Sequence, residues 1–202
     1  EKISSSELDH IFKGQLDTAG ITTEDSSKKF KFIHLNGAHV PYIYDKEMNI
    51  INEWDGTYEQ STQATLFGAM DYVEQLRESG AYDNTTIIVM SDHGFNGSLA
   101  QSGDATWMRQ CAMLLVKGRN EHHDTMQISQ APISFEDLQE AYVRLLDGQQ
   151  SDSVFDWKEG DVRERRFLRY SFLDDSHMQE YMQTGYASDM DTMILTGREY
   201  NR

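Results

Sequence analysis

The chain has one cysteine among its 202 residues, Cys111, and two prolines. A single cysteine excludes an internal disulfide framework. It lies in the apolar run Cys111–Val116, where a free thiol behaves as a small core residue. Cations are also scarce, with 18 Lys+Arg against 34 Asp+Glu and a formal charge of -16. Phosphate backbones are gripped through basic patches, so this balance argues against a nucleic-acid partner. An anionic substrate would need a metal ion or a few well-placed cations to overcome the field of the chain. No apolar run approaches the ~20 residues of a membrane span. The chain also lacks a GxGxxG motif, a P-loop, an internal repeat, a signal peptide and an initiating Met. Glu1 is therefore expected to be an interior point of a longer protein, and the chain a fragment of it. Hydrophobic residues make up 38% and charged ones 26%, which is enough apolar material for a globular core.

Against that background one stretch stands out, Thr85–Gly94, reading TTIIVMSDHG. Thr85–Met90 is a short β-branched run between turn residues, the pattern of a buried parallel strand. It delivers Asp92, His93 and Gly94 at its carboxyl end, where ligand sites gather in open α/β sheets. An Asp oxygen beside a His nitrogen suits a divalent metal such as zinc or manganese. The plainer alternative is a strand-to-loop turn in which Asp92 caps a neighbour and His93 is exposed.

The remaining chain frames that stretch. Glu1–Asp17 carries Leu8, Ile11, Phe12 and Leu16 at helical spacing, with Ser4, Ser5 or Ser6 as candidate caps. Phe30–Leu35 reads as a second strand, ending in Asn36-Gly37-Ala38-His39-Val40-Pro41-Tyr42. His34 is expected to be packed, and His39 to be held in a fixed loop before Pro41. Trp54–Ser79 reads as a long helix with Leu66, Met70, Val73 and Leu76 on one face, closed by Gly80. Strand, helix, strand is a βαβ crossover, which makes the two strands parallel. Parallel strands would bring His39 and the Asp92-His93 pair to one edge of the sheet. Cys111–Val116 reads as a third buried strand, and Phe95–Thr106 as a flexible loop. Arg109, just before that strand, is more simply a surface arginine. Ser134–Gly148 reads as a helix with a capping box from Ser134 and Asp137.

Beyond it, Gln149–Gly160 reads as linker and Arg163–Phe172 as a basic-edged strand. Arg163, Arg165, Arg166 and Arg169 could bind phosphate, but a solvated strand face is the better reading. Two β-like pieces around Thr184–Tyr186 and Met193–Thr196 predict a small antiparallel appendage. The adjacent His122 and His123 make a poor metal pair, and Asp189 and Asp191 lack the remainder of a calcium loop.

The ordered set Phe32-Ile33-His34-Leu35, Gly37-Ala38-His39-Val40-Pro41-Tyr42, Gly80-Ala81-Tyr82-Asp83-Asn84-Thr85 and Ser91-Asp92-His93-Gly94 resembles the C-terminal part of a sulfatase-like enzyme of the alkaline phosphatase superfamily. The likeness is greatest to the lipoteichoic acid synthase and phosphoethanolamine transferase branch. It runs from about Phe30 to Leu146, including Ala131–Leu138 before the last core helix. The resemblance implies an α/β three-layer sandwich with a mostly parallel central sheet, incomplete at the N-terminus, carrying the antiparallel C-terminal appendage. The expected organisation is residues 1–29 as helix and linker, 30–150 as the C-terminal half of the core, and 151–202 as the appendage. It implies metal ligation by Asp92 and His93 and substrate contact by His39. The metal would be a divalent ion (Mn, Zn, Mg or Ca), and the substrate an anionic sulfate or phosphate ester. The nucleophile of such enzymes lies well upstream of the HxPY segment. Thr22 and Thr23 are poor candidates for it, having no acidic ligand motif before them.

The expectation is therefore a hydrolase or transferase, with possible transfer of a phospho-head-group to a cell-envelope glycan or lipid. The resemblance implies that its nucleophile, its N-terminal half and a membrane anchor lie outside this chain, whose own domain would stand outside the cytoplasm. Alone, the chain should be inactive and bind metal weakly, and it should expose apolar surface. The alternative is a pseudoenzyme or binding module for anionic glycan or lipid head groups.

Overall fold

A computed structural model describes residues 7–24, 28–95, 111–148, 154–171 and 174–201. The chain divides into two compact units, Glu1–Thr86 and Ile87–Arg202. Ser4, Ser5, Ser6, Arg109 and most of the Phe95–Thr106 loop fall outside the described residues.

The first unit is built on two helices, α1 (Leu8–Ala19) and α2 (Tyr58–Glu78). Helix α2 starts later than its periodicity predicts because Thr57 forms a capping box with Gln60, leaving Trp54–Gly56 outside the helix. It closes at Ser79-Gly80, where Gly80 takes a left-handed φ of 74°. Its buried face is Ser61, Ala64, Gly68, Val73 and Leu76. Met70, expected on that face, is exposed. The segment between the helices folds against α2 through Tyr44 and Met48, which pack with Ala64. A bridge between Tyr44 and Ile50 and three hydrogen bonds accepted by Asp45 Oδ1, from Glu47 N, Asn49 N and Asn49 Nδ2, close the turn that delivers Met48. Helix α1 is tied to the same segment, with Met48 O accepting from His10 Nδ1 at 3.0 Å.

Residues 28–36 form no strand. Phe32 and Ile33 are 79% and 40% exposed, and His34 is exposed rather than packed. Aromatic and β-branched composition gives a segment the capacity to pair, but a strand exists only with a partner across a ladder. The βαβ crossover therefore does not form, and with it goes the argument that parallel strands carry His39 and Asp92-His93 to one edge.

The second unit opens with β1 (Ile87–Met90), which pairs with β2 (Leu114–Lys117) in an antiparallel ladder, Ile87 opposite Lys117 and Met90 opposite Leu114. Both strands are half-buried or more open, with Val116 at 38% exposure. Helix α3 (Phe135–Asp147) has the predicted capping box between Ser134 and Asp137, and a left-handed Gly148 beyond its end. Its Leu138 and Ala141 pack with Phe155, against Met90, Leu114, Ile133, Tyr142 and Val154. Val154 and Phe155, in the stretch expected as linker, thus contribute to the core. Strands β3 (Arg165–Ser171), β4 (Asp174–Gln183) and β5 (Met193–Asn201) form an antiparallel meander in the order β3-β4-β5. Thr184–Tyr186 is the connection between β4 and β5, not a strand. Gln183 Nε2 holds that connection, donating to Tyr186 O, Asp189 O and Thr192 Oγ1.

The described residues thus hold three helices and two small antiparallel sheets. That overturns the expected three-layer sandwich with a mostly parallel central sheet. A short apolar run is compatible with either strand direction, and direction was inferred from a crossover whose first strand is absent. No helix among the described residues is long and apolar enough to cross a membrane.

Candidate functional site

The strand that precedes Asp92 and His93 is real, though shorter than predicted. Its end is fixed by Ser91, whose N–H donates to Met113 O at 3.1 Å and whose Oγ accepts from Met113 N at 2.8 Å. Immediately beyond it, Asp92 Oδ2 stands 3.7 Å from His93 Nε2. The Asp92 side chain is 88% exposed and that of His93 40%, so both donors open to solvent. His93 Nδ1 donates to Gly94 O at 2.7 Å. That bond places the proton of the neutral ring on Nδ1 and leaves the Nε2 lone pair free, the arrangement found in metal-ligating histidines.

Two donors at about 2.1 Å from one ion can stand at most about 4.2 Å apart. The 3.7 Å separation between Asp92 Oδ2 and His93 Nε2 falls within that limit, so distance alone does not bar the pair from sharing a divalent ion. It would fill two coordination positions. Among the described residues no group of three or more His, Cys, Asp or Glu gathers to complete such a shell.

His39 belongs to the first unit and the Asp92-His93 pair to the second. His39 sits in the Asn36–Pro41 turn, where its N–H donates to Asn36 O at 2.8 Å. Its ring Nδ1 donates to Val40 O at 2.6 Å, again leaving Nε2 turned to other partners. The turn includes a cis Val40–Pro41 peptide. It is anchored by Asp9 on α1, whose Oδ1 accepts from Asn36 N at 3.0 Å. Asp9 is 1% exposed. Burial pushes its carboxyl up from the ordinary value, and the Asn36 and Gly37 N–H groups and nearby His34 offset only part of that. The Gly37 attraction falls short of a hydrogen bond, and Asp9 Oδ2 has no partner among the described residues. Sequence reasoning missed Asp9. A single Asp among the polar positions of an amphipathic helix gives no sign that it faces inward.

The other candidates resolve into structural roles. Arg163 pairs with Asp137 at 2.6 Å and stacks on Trp157. Arg165 donates to Gly185 O, and Arg166 pairs with Glu164 and Glu180. The Cys111 thiol donates to Ala187 O at 2.8 Å, and burial pushes its pKa up despite nearby Arg165. His123 pairs with Glu121 at 2.9 Å, and Asp189 accepts from the Asp191 N–H within a turn. Thr22 and Thr23 are exposed.

Compared with protein-family models, with curated proteins and with solved structures, the chain matches none.

Proposed function

We propose that this chain contributes two metal ligands and a substrate-binding histidine to a metal-dependent enzyme acting on sulfate or phosphate esters. Hydrolysis, and transfer of a phospho-head-group to a cell-envelope glycan or lipid, both fall within this reading. Asp92 and His93 are the ligands, and His39 contacts the anionic group of the ester. The observation that carries the reading is the Asp92 Oδ2–His93 Nε2 pair, 3.7 Å apart directly beyond β1. It is strengthened by the Nδ1 bond to Gly94 O, which presets the ligating tautomer. When bound there, a divalent cation (Mn, Zn, Mg or Ca) supplies a Lewis acid for the ester's oxygens. Asp92 brings a negative charge to the ion, and His93 a neutral nitrogen held in one orientation. His39 offers Nε2 from a ring whose other nitrogen is already engaged by Val40 O. In this reading the nucleophile and the remaining ligands come from outside this chain, so residues 1–202 alone are expected to be inactive.

The test is turnover of aryl phosphate and aryl sulfate esters by the full-length protein with Mn2+ or Zn2+. Outer-shell partners of metal ligands cost ~10–100-fold when removed, so Asp92→Ala and His93→Ala should each cost at least about 100-fold. Unchanged turnover in either variant rejects the assignment. Metal-dependent phosphate binding without turnover would favour a binding module over an enzyme.

A further inference from the structure

The turn that carries His39 is clamped from two sides. On one side Asp9 Oδ1 accepts the Asn36 N–H at 3.0 Å, and Asn36 O in turn accepts the His39 N–H at 2.8 Å. On the other side Gly37 lies against α2, where a Cβ would meet Thr65 Oγ1 at 2.1 Å and Asp9 Oδ2 at 3.2 Å. The Thr65 hydroxyl is itself fixed, donating to Ser61 O at 2.8 Å. A buried carboxylate on α1 is therefore two hydrogen bonds from the backbone of His39.

We propose that Asp9 is a positioning residue for His39: its carboxylate fixes the 36–39 turn and so sets where the imidazole is presented to the ester. This rests on the reading of His39 as the substrate contact. Burying an ionisable group is costly unless something is gained from it. Asp9 spends one oxygen on the turn, leaves the other without a partner among the described residues, and is pushed up in pKa by its burial. A neutral side chain with the same acceptor oxygen would hold the turn equally well. That distinguishes an acceptor role from a charge role.

Amide hydrogen exchange and histidine-ring NMR spectra of the 202-residue chain test the clamp. Asp9→Ala should speed exchange at Asn36 and His39 by at least 10-fold and shift the His39 ring resonances, leaving the amides of α2 unchanged. Asp9→Asn should return both readouts to near the wild-type values. The proposal is overturned if Asp9→Ala leaves Asn36 and His39 as they were, or speeds exchange throughout α1 and α2 alike. Should Asp9→Ala fail to fold, Asp9→Asn decides alone: wild-type protection and ring shifts at His39 support the clamp, and their loss overturns it. Turnover by the full-length protein tests the underlying reading separately. If His39→Ala leaves kcat/KM unchanged, the substrate contact is wrong, while the exchange data still judge the clamp. If His39→Ala lowers it, Asp9→Ala should lower it too and Asp9→Asn should restore it.

Discussion

Two glycines of the first unit occupy positions where any side chain would collide. A Cβ on Gly37 would lie 2.1 Å from Thr65 Oγ1, and one on Gly56 would lie 1.8 Å from Tyr42 O. Neither needs a left-handed backbone; close approach alone demands glycine there. The two collisions differ in kind, because a hydroxyl can be removed by mutation and a backbone carbonyl cannot. Gly37→Ala should lower unfolding free energy by about 1–3 kcal/mol, as overpacking generally does. Adding Thr65→Ala should recover part of that loss. Gly56→Ala should cost more, and truncating Tyr42 should recover none of it. Denaturant unfolding of the single and double variants measures both. At this scale the sequence was partly legible. Gly37 stood out beside His39, but what it packs against did not. Asp9 is 27 positions from Asn36, and nothing in an amphipathic pattern marks one polar residue as a turn anchor. Likewise Gly94 was legible as following the strand end, but not the use of its carbonyl by His93 Nδ1.

Helix α3 shows which element-level features a sequence carries. Its start, stop and capping box are local, set by residues three or four positions apart, and they form as the pattern predicts. What the pattern does not carry is the second use of the cap. Asp137 accepts from Ser134 N–H at 2.7 Å, from Trp157 Nε1 at 3.1 Å and from Arg163 Nη1 at 2.6 Å. Removing it frees the helix end and takes from a largely buried arginine its shortest ion pair, leaving Glu136 and Pro132 O at 3.4 Å. Asp137→Ala should therefore cost about 3 kcal/mol, well beyond a lost cap, and Asp137→Asn less, read by thermal or denaturant unfolding. Strands are the opposite case, since direction and partner are non-local. Phe30–Leu35 and Ile87–Met90 both read as strands, yet only the second finds a ladder. In the meander, Glu180 on the central strand joins its neighbours through Arg166 on β3 and through Thr196 and Tyr200 on β5. Burial pushes its carboxyl up, but hydrogen bonds from Thr196, Tyr200 and Arg166, with Arg198 nearby, hold it below the ordinary range. A carboxyl depressed on folding adds stability above its unfolded pKa and loses it as pH falls through the folded value. The stability gap between wild type and Glu180→Gln should be full near neutral pH and close below the ordinary carboxylate range. A gap constant with pH would mean that Glu180 acts through shape alone.

For the whole molecule the question is how much of a site one chain can hold. Its formal charge of -16 opposes any anionic ester, so attraction must be local. The local means proposed are Asp92 and His93, which would span two positions of a shell that a zinc-type ion fills with three or four protein ligands. Their place at a strand end was legible, because that local geometry survives whichever way the neighbouring strand runs. Sheet direction and the relation of His39 to the pair were not legible, because both depended on a strand that does not form. Two ligands without the rest of a shell should bind metal feebly. Titrating residues 1–202 with Zn2+ by calorimetry should give a dissociation constant no tighter than the micromolar range, roughly -8 kcal/mol or weaker. The His93 ring resonances should move with occupancy, and Asp92→Ala with His93→Ala should abolish the response. A wild-type affinity in the nanomolar range would mean that the chain assembles a full ligand set itself. The reading that its remaining ligands come from outside the chain would then fail.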